Sequence, residues 1–157
     1  MIKPLFDQQD DDWVWMVGRY ILNMGAVEAA TRLIVVQIAG TDAAPIFADG
    51  LSARIGFIRK RFPREPAQRH ERVMNTLEVA AKHAGFRNIV ALSPLPISTN
   101  PDGTIHIQGI MNFTPKDSKN IGQLVSLQEL RERVDESADL TRQLLEMQSD
   151  FAPPTGG

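Results

Sequence analysis

Arg87 and Asn88 stand side by side in the stretch AGFRNIVALSPLP (84–96), among apolar residues and ahead of a proline-broken loop. His83 lies four residues before Arg87, on the same face if the segment is helical. A histidine beside an arginine and an asparagine could act as a general acid or base; the plainer alternative is a solvated histidine. If the helical register continues, Arg87 falls at or beside a buried face. It then needs a partner, because unpaired burial of its charge is costly. Glu28 is one candidate, a carboxylate at the edge of the apolar stripe that contains Met24, Thr31 and Val35. The bland alternatives are an internal ion pair, or an arginine that reaches solvent from the helix end.

A second group is basic. Arg54, Arg59, Lys60, Arg61, Arg64, Arg69 and Arg72 face only Glu65 and Glu71 over residues 54–72. Such a cluster could contact phosphates, or it could be a solvated helix–turn–helix corner. Aromatic residues do not interleave with the cations, so binding of single strands by base stacking has little support. His70 and His106 have no motif around them, and three scattered histidines make a metal site improbable. No cofactor is expected: the chain has no phosphate-binding glycine loop, dinucleotide fingerprint or serine elbow.

The elements that must carry these residues are mostly helical. Val17, Tyr20, Ile21, Met24, Val27, Thr31, Ile34, Val35 and Ile38 follow the spacing of one helical face. Gly18 and Gly25 inside that helix could admit another backbone, from a neighbouring helix or subunit. Leu51, Ile55, Ile58 and Phe62 mark a second helix, with a break left open between Pro45 and Leu51. Val73, Leu77, Ala80 and Ala84 mark a third, starting at about Pro66. Local evidence divides at Gly85: a cap there would free FRNIVAL to be a strand, whereas a continuous helix would end before Pro94. Asn100–Gly103 is a strong turn signal inside an extended or hairpin excursion at about 95–113. Ser126 and Glu129 read as a capping box for a last helix faced by Leu127, Leu130, Val134, Ala138, Thr141, Leu144 and Leu145. The fold class is all-α: an antiparallel bundle of four to five helices with that excursion. Residues 1–12 read as a flexible acidic lead-in, 13–148 as one helical-bundle domain and 149–157 as a disordered tail.

The 157 residues suit one domain with a sizeable core. A net charge of −2 gives no global field that would recruit nucleic acid or an anionic membrane. The absence of cysteine removes disulfides and thiolate chemistry and fits a reducing compartment. No run approaches 18 consecutive apolar residues, so no membrane span is expected, and the reading is a soluble cytoplasmic protein.

A long first helix with an inward Glu28, a basic second helix and a third helix ending in Arg87–Asn88 together resemble HEPN-like domains of bacterial toxins and defence systems. The resemblance covers roughly 13–148. The family's signature is R-N-x-x-x-H, and RNIVALSPLP matches its Arg, its Asn and the following loop. It implies a third helix continuing through Gly85, a homodimer, and RNA, a nucleotide or a partner protein as ligand. Leu92 stands where the family has its histidine. In active members that histidine and the arginine are thought to drive metal-independent RNA cleavage, and leucine cannot exchange a proton. The expectation is a degenerate binding domain. The alternatives are a working ribonuclease using Arg87, Asn88 and His83, or an adaptor bundle without a ligand.

Overall fold

Four helices are found among the described residues of the computed structural model, which are 6, 8–40, 50–112 and 122–149. Helix α1 is Asp11–Ala39, with Asp11 and Asp12 in its first turn, where carboxylates meet the positive end of the helix dipole. Helix α2 is Leu51–Arg61 and α3 is Ala67–Leu92. Helix α4 is Leu127–Ser149; the Ser126 hydroxyl accepts a hydrogen bond from the Glu129 N–H at 3.1 Å, one half of the capping box. The protein is an all-α helical bundle with a small strand excursion. In that excursion β1 (Ile97–Thr99) pairs antiparallel with β2 (Ile105–Ile107), and β3 (Ile110–Met111) with β4 (Leu124–Val125).

The open question at Gly85 is settled in favour of helix. Helix α3 passes through Gly85 to Leu92. Its last bond is donated by the Ser93 N–H to the Ile89 carbonyl, and the chain turns away before Pro94, whose ring disfavours helical backbone at the residue before it.

The contacts divide the chain into two compact units, Met1–Leu22 with Gly85–Asp135, and Asn23–Ala84 with Glu136–Gly157. Helices α1, α3 and α4 each contribute segments to both units. In the second unit, α3 and α4 run antiparallel: Thr76 donates to Gln143 at 3.1 Å, and one turn back Arg72 meets Glu146 at 2.9 Å. Leu51, Ile55, Ile58 and Phe62 are all buried, as their spacing predicts, and Val73, Leu77 and Ala80 form the buried stripe of α3. Ile21 and Leu145, expected to face inward, are exposed. In the first unit, Tyr20 is fully buried and meets Phe86 edge-on, with ring centroids 5.3 Å apart.

Of the lead-in expected over 1–12, residues 1–5 and 7 lie outside the described residues, and the rest takes regular structure. Gln8–Asp10 form a 3-10 turn and α1 begins directly after it. Asp10 is buried and accepts a hydrogen bond from the Ile107 N–H at 3.0 Å, which fastens the turn to β2. Phe6 makes a parallel bridge to Ile105 in the same unit. Residues 41–49, where the break near Pro45 was expected, and 150–157 of the expected tail lie outside the described residues.

The turn signal at 100–103 closes the β1–β2 hairpin. The Asp102 carboxylate accepts from the Thr104 N–H at 2.9 Å and from its hydroxyl, and the Asn100 N–H bonds the Thr104 carbonyl at 2.8 Å. Gly103 has φ +82, in the left-handed region. Gly103→Val should cost about 1–2 kcal/mol through that backbone conformation alone. Urea unfolding should show a lower midpoint at an unchanged slope. Gly109 has a different reason: a Cβ there would stand 3.1 Å from the Val125 carbonyl oxygen, so a larger residue requires the Val125 backbone to give by a few tenths of an ångström.

Candidate functional site

Helix α2 positions its cations on two different surfaces. Arg54 sits three residues after Leu51 and one before Ile55, so helical geometry turns it into the apolar stripe. Its side chain is 1% exposed. Its Nε donates to the Thr31 hydroxyl at 3.3 Å, and its guanidinium lies 3.7 Å from the Glu28 carboxylate. Thr31 in turn donates to the Glu28 carbonyl at 2.9 Å, and Arg32 lies 3.6 Å from the same carboxylate. Glu28, Thr31 and Arg54 therefore form a polar cluster inside the second unit. Arg54, expected with the phosphate-contacting cations, belongs to this interior.

Arg59, Lys60 and Arg61 fill the last turn of α2, where cations complement the negative end of the dipole. Arg59 is held by Glu78 at 2.8 Å. Lys60, Arg61 and Arg64 are exposed and make no ion pair among the described residues; Arg61 also lies over the Phe57 ring at 4.1 Å. Arg69 lies over the Phe62 ring at 5.4 Å, and Arg72 reaches Glu146. Next to these, α3 and α4 enclose an open groove of about 430 Å³ lined by Gln68, Arg72, Asn75, Thr76 and Gln143 among others, a surface rich in amide and hydroxyl groups.

Arg87 is partly buried near the end of α3, whereas Asn88 beside it is exposed. His83 is 1% exposed, with Nε2 3.3 Å from the Glu136 carboxylate. The imidazole, read from the sequence as a candidate acid or base or else as a solvated residue, is an interior group, shielded from any substrate in solution. Leu92 is 81% exposed, on the last residue of the helix.

A further polar group was not legible in the sequence. In the first unit the buried Asp10 Oδ1 lies 2.7 Å from His106 Nδ1, a contact of ion-pair length whose angle departs from that of a linear hydrogen bond. Asp10 belongs to an acidic run and His106 to an alternating strand, and nothing in either pattern links positions so far apart in the chain.

Gln8–Ala39 is long and apolar enough to cross a bilayer by length and composition alone, a test that the core helix of a soluble protein passes equally; 33% of its most apolar window is buried within the protein. Among the described residues no group of three or more potential metal-ligating side chains is found. The fold thus defines an all-α helical bundle bearing two small antiparallel strand pairs. No protein-family profile matches the chain, and no curated protein or solved structure matches it either.

Proposed function

We propose that the protein is a degenerate HEPN-like domain that binds RNA through the basic corner at the end of α2. The observation that carries this reading is the exposed set Lys60, Arg61 and Arg64, within five residues of sequence and without carboxylate ion pairs among the described residues. Phosphates are the natural complement of such a set, and binding there releases condensed counterions. Burial of His83 and the leucine at position 92 favour binding over cleavage, because neither position offers an accessible proton-transfer group. The same reading places the protein in the cytoplasm as a homodimer in a bacterial defence or toxin–antitoxin setting. Val14, Trp15, Ile21 and Leu22, exposed on the first turns of α1, support association with a second copy. Sedimentation at high concentration tests that point: a species of 17.5 kDa alone would remove the homodimer.

The test of RNA binding is a salt titration. A labelled single-stranded RNA should bind with log K falling against log salt at a slope of about −2, as for three phosphate contacts. Neutralisation by Lys60→Gln, Arg61→Gln and Arg64→Gln should abolish that slope while lowering stability by no more than about 1–2 kcal/mol, the cost of losing two cations from the end of α2. Salt-insensitive binding, or none, would leave the adaptor reading in its place.

A further inference from the structure

The β1–β2 hairpin carries a second chemical arrangement, independent of the RNA-binding reading. Ser98 and His106 are direct partners in the strand register, so both side chains stand on one face. Cross-strand partners have Cβ atoms about 4.5–5.5 Å apart, close enough for a hydroxyl and an imidazole to exchange a proton with modest rotamer adjustment. Behind the imidazole lies the Asp10 carboxylate, 0% exposed and 2.7 Å from Nδ1. The contact is not aligned as a hydrogen bond, so a turn of the ring is needed before Nδ1–H can donate to the carboxylate; with its proton on Nδ1 the neutral ring presents the lone pair of Nε2. The His106 side chain is 35% exposed and Ser98 is half-buried, so a small reagent can reach both.

Asp10 has more hydrogen-bonding capacity than its described neighbours fill. Oδ1 receives the Ile107 N–H, but Oδ2 is buried with no hydrogen-bond partner among the described residues. A buried carboxylate so placed gains when a positive charge forms on the adjoining ring. That is the role an acid plays behind a histidine that takes a proton from a nucleophile.

We propose that Ser98, His106 and Asp10 form a nucleophile–base–acid relay that makes Ser98 acylable by small activated carboxylic esters. Ser98 Oγ attacks the ester carbonyl carbon while its proton passes to His106 Nε2. The bond from that carbon to the leaving oxygen breaks, and the alcohol departs with the proton from Nε2. The ester becomes acyl-Ser98 and free alcohol, with no change of oxidation state. Water attacking the acyl group, with its proton passing to the same nitrogen, returns the serine and releases the carboxylic acid. Asp10 is a positioning residue throughout; Ser98 and His106 are the catalytic residues.

The full chain incubated with p-nitrophenyl acetate in EDTA provides the test, read by nitrophenol release and by peptide mass mapping. Acetyl should appear on Ser98, and Ser98→Ala should remove it without changing the melting temperature. His106→Gln should slow acetylation of Ser98 by roughly 10²–10⁴-fold. Circular dichroism should show that both variants keep the fold. Acetyl on lysines only, acetyl that stays on the imidazole, or an unchanged rate in His106→Gln would each overturn the proposal.

Discussion

Arg54→Ala is expected to lower the unfolding free energy by about 2–5 kcal/mol, the scale for truncating a large, fully buried side chain. The substitution takes a guanidinium out of a site that is 1% exposed and leaves a void among Leu51, Ile55 and Ile58. It also removes the donor to the Thr31 hydroxyl. Glu28 is partly exposed and keeps Arg32 within 3.6 Å, so the surviving carboxylate remains solvated and paired. Arg54→Met restores most of the lost volume with no charge to accommodate, and should fall within about 1.5 kcal/mol of the wild type. Urea denaturation of both variants at a common slope checks the pair. Equal losses would mean that charge dominates at this site; a negligible loss for alanine would show that the interior pair contributes nothing.

Leu92→His is expected to give metal-independent RNA cleavage about 10²–10⁴-fold above the wild-type background, the range associated with one positioned general acid or base. The expectation rests on the proposed HEPN-like reading, since the substitution completes R-N-x-x-x-H from Arg87 and Asn88. Position 92 is 81% exposed, so the imidazole enters without repacking any core. Its cationic form also sits favourably at the end of α3. Cleavage of labelled RNA in EDTA is the measurement, with Arg87→Ala in the Leu92→His background as control. No gain of cleavage, or a gain that survives loss of Arg87, would count against the family reading.

Helix periodicity made much of the bundle legible. The stripe Leu51, Ile55, Ile58 and Phe62 is a repeating burial requirement, and a burial requirement is visible in one chain. Arg54 was visible too, as a cation three residues into that stripe, but a run of neighbouring cations drew it toward the surface set. Position 28 stood out as a carboxylate beside apolar residues. What supplied its cation was the packing of α2 against α1, a relation between elements that no local spacing encodes. The end of α3 was ambiguous for a similar reason. FRNIVAL is rich in β-formers, and tertiary burial of Phe86 and Val90 overrode that preference. Asp10 and His106 were not legible at all, because strand register and the docking of the N-terminal turn decide their meeting.

The hold of Asp10 on Ile107 has a kinetic consequence. During synthesis the turn leaves the ribosome long before the strand that receives it, and a loop of 97 residues must close before the carboxylate finds its donor. The first helix therefore spends its early life with its entry point unfastened. Hydrogen–deuterium exchange pulsed during refolding should show the amide of Ile107 gaining protection among the last, after the helical amides of α3 and α4.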